Sequence, residues 1–203
     1  MSTVDPKDVA LILDAVKLYI GHPIPGQPFA DIFPIFRSPT LTEIIISHLT
    51  THIQSTHDLT KISALVCLEA RGFFFAPIIA SRLGLPVVPV RKKGKLPGEI
   101  ISVSYEKDYG PDSFEMKDDA FEGIETEGKG VVIVDDLLGM GGSVLAAKGL
   151  VEKLGVSVAE MVFIFDVDIP IYAEAIKKNM GDWKRYSMIT LTTTNMGAPI
   201  IIE

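Results

Sequence analysis

Apolar residues along this chain recur with two periods, and the change between them divides it. Near the start Val9, Ile12, Leu13, Val16 and then Tyr19 or Ile20 return every three to four positions, the spacing of one helical face. Asp5-Pro6-Lys7-Asp8 supplies a helix start, because acids suit the positive end of the helix dipole, and Gly21 stops the run. Pro23, Pro25, Gly26 and Pro28 then break any periodicity. The stretch that ends in Phe29-Ala30-Asp31 is therefore expected to lack regular structure. A second helix is expected after Ser38-Pro39, with Ile44, Ile45, Leu49 and Ile53 on one face.

From about Ile62 short apolar runs replace the helical spacing. Residues 63–68 and 130–134 are continuous apolar segments, the pattern of strands buried on both faces. Residues 72–84 read as a helix closed by Gly84. Residues 85–90 read as a strand whose prolines belong at its start or on an edge. The polar, glycine-rich stretch from 91 to about 128 contains a strand pair near 100–105 and 113–116. After the strand at 130–134 comes Gly141-Gly142 and a helix bearing Val144, Leu145, Ala147, Leu150, Val151 and Leu154. A strand at 159–166, a helix near 171–178 and a strand near 186–192 complete the chain. Strands alternating with helices imply parallel pairing through right-handed crossovers. The expected fold is a single α/β domain over residues 1–203: a central, mainly parallel sheet flanked by helices, with an N-terminal flap.

Composition narrows the function classes. At 203 residues, 47% hydrophobic and 22% charged, the chain is an ordinary globular protein large enough to need no metal or disulfide staple. A net charge of −7 argues against a general binder of nucleic acid or of acidic membranes, yet a local basic cluster can still serve a small anion. Cys67 is the single cysteine, which excludes an internal disulfide framework and fits a reducing compartment. No stretch approaches the roughly 18 apolar residues of a membrane span. Met1 to Asp8 is polar and unlike a leader, so a soluble cytoplasmic protein is expected. Cys67, inside an apolar strand, reads as an inert core residue. His22, His48, His52 and His57 form no ligand set with nearby Cys or carboxylate pairs and are expected at the surface; no metal-ligating residues are assigned. Trp183 is expected to pack near the last strand.

In an open parallel sheet, ligands bind beyond the carboxyl ends of the strands. The richest such end is Val131-Val132-Ile133-Val134-Asp135-Asp136, followed by Gly139-Met140-Gly141-Gly142-Ser143. Two adjacent carboxylates end a buried strand, and a glycine-rich turn then opens a helix. Glycines let a backbone approach a ligand, and a helix start offers free N–H groups to a phosphate. Carboxylates beside a phosphate cradle would repel the anion unless they had another task, and accepting hydrogen bonds from ribose hydroxyls is one. A tight turn with solvated acids is the plainer alternative, which the pairing of the acids and the density of glycines disfavour. The spacing is neither that of a dinucleotide fingerprint nor that of a P-loop.

This segment resembles the phosphoribosyl-pyrophosphate (PRPP) motif of the type I phosphoribosyltransferases. Four further stretches resemble the adenine phosphoribosyltransferases within that group: Pro25 to Asp31, Leu68-Glu69-Ala70-Arg71-Gly72-Phe73, Val90 to Gly98, and Ser104 to Gly110. The likeness spans about residues 20–165. It implies a hood over residues 1–35 that contributes base recognition, an α/β core over 60–195 that binds PRPP, and a mobile lid at 104–109. The implied reaction is purine salvage, adenine plus PRPP giving AMP and pyrophosphate, with Mg2+ held mainly by PRPP and water. Asp135 and Asp136 would hold the ribose hydroxyls, and Gly139, Met140, Gly141, Gly142 and Ser143 the 5′-phosphate. Arg71, Arg91 and Lys95 would grip the pyrophosphate, although a run such as Arg91-Lys92-Lys93 with Lys95 is also what a solvated loop looks like. Asp108, Tyr109 and Arg71 are the implied catalytic residues, and Pro28, Phe29 and Ala30 the implied base-binding ones. Phe29 fits equally a purine stack or a flap core contact. A homodimer is implied as well, with no nucleic-acid or membrane partner.

Four positions depart from the resembled pattern: Met140 for threonine, Gly139 for alanine, Asp108 for the lid glutamate and Ala30 for a frequent arginine. They leave open a transferase for hypoxanthine, guanine or xanthine, and a catalytically weak PRPP-binding regulator.

Overall fold

The computed structural model describes residues 4–21, 28–107, 110–168 and 170–192. Asp5 caps the first helix, α1 (Pro6–Ala15), by accepting the Lys7 amide at 2.8 Å, a contact worth about 1 kcal/mol. The helix stops at Ala15 and not near Tyr19 or Ile20. Val16 turns extended, and Lys17–Ile20 forms β1, paired antiparallel with β2 (Pro28–Asp31). Val16, Leu18 and Ile20 also alternate with period two, and an available partner strand decides between the two readings. The expectation of no regular structure through residue 31 therefore fails at its end. Pro28 heads β2, where a proline is tolerated, and Phe29, Ala30 and Asp31 pair with Tyr19, Leu18 and Lys17. Residues 22–27, including His22, lie outside the described residues.

After the short α2 (Phe33–Phe36), Ser38 caps α3 (Pro39–Thr56) by accepting the Leu41 amide. Ile45, Leu49 and Ile53 are buried as their spacing predicts. The expected helix at 72–84 is two pieces: a 3₁₀ turn at Arg71–Phe74, then α4 (Ala76–Leu83). Pro77 in the first turn of α4 has no N–H to extend the helix backwards, and Phe75 leaves the helical region.

The other seven described strands form one sheet. In chain order they are β3 (Ile62–Leu68), β4 (Val87–Lys92), β5 (Ile100–Lys107), β6 (Gly110–Lys117), β7 (Gly130–Leu138), β8 (Ser157–Asp168) and β9 (Arg185–Thr192). Their spatial order is β5-β6-β4-β3-β7-β8-β9. The run from β4 to β9 is parallel, while β5 and β6 make an antiparallel hairpin on the β4 edge. That hairpin extends further than its apolar pattern suggests, so the stretch read as a lid begins as paired strand through Lys107. Along β3 every residue is buried and alternate side chains enter opposite cores. Leu65 and Cys67 pack with α1, α3 and α4, whereas Ala64, Val66 and Leu68 pack on the side of α5 (Gly142–Lys153) and α6 (Pro170–Met180). Burial pushes the Cys67 thiol up to about 12, helped by the charge of Asp135, so it stays protonated and inert. No described helix is long and apolar enough to cross a membrane.

The histidines are the clearest correction. His52 is buried, and its Nε2 and that of His57 both donate to Oε2 of Glu160, at 3.1 and 2.8 Å. Glu160 sits in β8 with 2% of its surface exposed. Burial would raise its carboxyl, but the two histidine bonds and the Lys184 charge 3.9 Å away outweigh that and hold it below the usual range. His48 meets the hydroxyl of Tyr186, on whose ring His52 stacks with centroids 3.6 Å apart. Helical spacing from Ile45 and Leu49 carries His52 towards the sheet, where a carboxylate more than a hundred residues later in the chain accepts from it and from His57 at the end of α3. Trp183, two residues before β9 in the chain, packs against the core on the α5 side, with Lys148 Nζ 4.1 Å from its ring centroid.

Candidate active site

The paired aspartates lie within β7 and not after it, because the strand continues to Leu138. Asp136 is only 3% exposed. Its Oδ2 lies 3.1 Å from Arg71 Nε, a charge contact without hydrogen-bond alignment, and that oxygen has no hydrogen-bond partner. Asp135 turns its Oδ1 onto the Asp136 amide at 3.0 Å. Burial raises both carboxyls above the usual range. The neighbouring charge of Asp136 raises Asp135 further, and Arg71 opposes the rise at Asp136. A buried, under-bonded carboxylate is costly unless something completes it. Hydroxyl donors would do so.

Arg71 reaches Asp136 because of the residue that follows it. A Cβ at Gly72 would stand 3.1 Å from the Val134 carbonyl and 3.7 Å from Asp135 Oδ1, so a side chain there would push the 3₁₀ turn a few tenths of an ångström off β7. The guanidinium also lies over Phe29 of β2, 5.8 Å from the ring centroid. One arginine thus joins the N-terminal hairpin to the strand-end acids.

Beyond Leu138, Gly139 and Met140 lead to Gly141, which starts α5 with φ +85°. Gly142 and Ser143 form the first turn, whose amides have no intrahelical acceptor. Met180 fills the space behind the turn, its Sδ 3.1 Å from where a Gly141 Cβ would stand. Positive φ and this contact together demand glycine there.

Arg91, next to last in β4, is already engaged. Its Nε donates to Glu69 Oε2 at 3.0 Å, and its guanidinium lies 5.8 Å from the Phe73 ring centroid. The Lys92 amide donates to the same Glu69 oxygen at 2.8 Å, and the Gly94 amide to Glu115 Oε2 at 2.8 Å. Burial alone would raise the Glu69 carboxyl, but Lys92 and Arg91 outweigh it, with help from the charge of Lys95. The Glu69–Ala70 peptide is cis. Two acids therefore shape the basic loop, and Lys95 within it is exposed. Glu115 escaped sequence reasoning, although a charged residue between Phe114 and Met116 in a strand is the signal that flags it.

The structure brings together Arg71, Asp135, Asp136 and Phe29, with the Gly139–Ser143 turn continuing from the same strand. Arg91 is tied to Glu69 and Phe73, two residues before and two after Arg71 in the chain. Ala30 is half-buried in β2, and the Pro28 backbone shares that strand. Asp108 and Tyr109 lie outside the described residues.

A profile of the phosphoribosyl transferase domain matches residues 39–185. The adenine phosphoribosyltransferase of Eremothecium gossypii is 42% identical over 154 residues, covering 76% of this chain and 80% of that one. The mouse adenine phosphoribosyltransferase is 39% identical over 160 residues, covering 79% and 86%. The crystal structure of the Saccharomyces cerevisiae adenine phosphoribosyltransferase, complexed with an imino-altritol bisphosphate and adenine, superposes with a TM-score of 0.79 at 36% identity. It covers 91% of this chain and 100% of that one.

Proposed function

The chain belongs to the phosphoribosyl transferase domain family, and from that premise we propose that it is a purine-salvage enzyme converting adenine and PRPP to AMP and pyrophosphate. Relatives named for that reaction match most of its length. Within the molecule, the observation that carries the reading is Asp136: a buried carboxylate with an oxygen left unbonded, beside a glycine turn opening a helix.

Asp135 and Asp136 accept the ribose 2′- and 3′-hydroxyls, and their charge favours the positive character that builds at C1 as pyrophosphate leaves, as glycosyl transfers in general require. The amides of Gly139, Met140, Gly141, Gly142 and Ser143 hold the 5′-phosphate. Arg71, Arg91 and Lys95 stabilise the departing pyrophosphate, Arg71 giving up its contact with Asp136 to the hydroxyls. Among the described residues no group of three His, Cys, Asp or Glu side chains could hold a metal ion by itself. Asp135 and Asp136 are the oxygen-donor residues that would help hold a magnesium ion carried mainly by PRPP and water, and that ion would supply positive charge to neutralise the leaving pyrophosphate. Residues 1–35 act as a hood in which Phe29 stacks on adenine while the backbone of Pro28 and Ala30 reads its edge. Asp108 and Tyr109 act with Arg71 as the catalytic residues. The core over residues 60–195 binds PRPP, the protein works in the cytoplasm, and a homodimer is its working form.

Incubation with PRPP, magnesium and each purine base in turn tests the reading. AMP from adenine as the main product supports it. IMP, GMP or XMP as the main product assigns a different base, and PRPP binding without any nucleotide assigns a regulator.

A further inference from the structure

The phosphate turn is held from outside by a helix to which sequence reading gave no role in the site. Asn179 of α6 donates from Nδ2 to the Met140 carbonyl at 3.0 Å. The end of α6 is itself fixed, because Ile176 and Met180 are buried in the core beneath it and Met180 lies against Gly141. We propose that Asn179 is a positioning residue for the 5′-phosphate, acting through the Met140–Gly141 peptide; this rests on the transferase reading above.

A trans peptide points its C=O and N–H to opposite sides. With the Met140 oxygen held towards α6, the Gly141 N–H faces away from α6, to the side where the phosphate is received. Free rotation of that unit would instead turn a carbonyl oxygen towards the anion and replace an attraction by a repulsion. Met140 has no hydroxyl to offer the phosphate, so the orientation of its peptide matters more here than in a loop bearing threonine. Gly141 has no Cβ to hold the unit in one orientation, and Asn179 supplies the side-chain restraint on it.

Asn179 is exposed, so replacing it leaves the core intact. Asn179→Leu keeps the shape and removes the donor. Titration with AMP and with adenosine separates phosphate positioning from general packing. AMP should bind about three- to tenfold more weakly, the net effect of one hydrogen bond, with adenosine binding unchanged. The KM for PRPP should rise in the same proportion with kcat within twofold, as expected when ground state and transition state lose the same contact. AMP binding equal to wild type would overturn the proposal, and so would equal weakening of AMP and adenosine. A wild-type protein that neither binds nor forms AMP would overturn the transferase reading itself.

Discussion

Two buried carboxylates stand on neighbouring strands and meet opposite fates. Glu160 of β8 lies in register with Val132 of β7, and Asp136 follows four residues further along, roughly 13 Å away. Glu160 receives two imidazole donors and a nearby lysine, and its carboxyl is held low. Asp136 keeps a bare oxygen, and its carboxyl is pushed up by burial against the pull of Arg71. The sheet therefore completes its acid near the amino ends of the strands and leaves the one near the carboxyl ends unfinished. Fully bonded, a buried acid ties helix to sheet; left open, it spends stability on a ligand that will complete it.

The contrast is broken most severely by exchanging roles. Asp136→Asn should lower kcat/KM for PRPP by about 10²- to 10³-fold, the usual scale for losing a preorganised charge contact at a reacting centre, while the melting temperature holds within a few degrees. Steady-state kinetics beside a thermal melt checks both halves; unaltered kinetics would remove Asp136 from the site. Glu160→Gln should do the reverse. Loss of the charged acceptor for His52 and His57 should cost about 1–3 kcal/mol of stability, with kcat and KM for both substrates within twofold of wild type. A large kinetic defect at full occupancy of the folded state would tie the two regions together.

Smaller effects sharpen the comparison on each side. Met140→Thr adds a hydroxyl to the phosphate turn and should raise affinity for PRPP by up to about tenfold, roughly 1.4 kcal/mol, measured by titration calorimetry. Unchanged affinity would mean that backbone amides already saturate the phosphate. The smallest signal is in acid. Glu160 has a folded pKa below its ordinary 4.5, so its stabilisation is present above that value and fades as pH falls through the folded one. His48, lowered by burial and by His52, is stabilising as the neutral ring above 6.5 and loses that contribution as pH falls. Asp136 runs the other way: its raised folded pKa favours the fold below 3.8 and that advantage fades as pH rises. Denaturant titrations from pH 7 to 4 should therefore show a shallower loss for Glu160→Gln than for wild type, and a loss at least as steep as wild type for Asp136→Asn.

The strands of the core were legible because continuous apolar runs bounded by glycine and proline have few alternatives in a chain of this length. The Asp135-Asp136 pair and its glycine turn were legible for a related reason: two acids at the end of the buried run Val131 to Val134 bring nothing to an apolar core. Less visible were features decided by partners distant in sequence. Val16 to Ile20 satisfied both helical and strand spacing until β2 supplied ladder partners. His52 and His57 looked solvated because Glu160 lies more than a hundred residues away. Asn179 carried no local signal, since its acceptor is a backbone carbonyl that any residue at position 140 would provide.

In the proposed function the carboxyl end of β7 clasps an activated sugar phosphate. A crystal grown with PRPP and magnesium tests it directly. Ribose hydroxyls should lie within hydrogen-bond distance of Asp135 and Asp136, Arg71 should be released from Asp136, and the 5′-phosphate should sit on the amides of residues 139–143. Density for the sugar at any other place, with Arg71 still against Asp136, would contradict it.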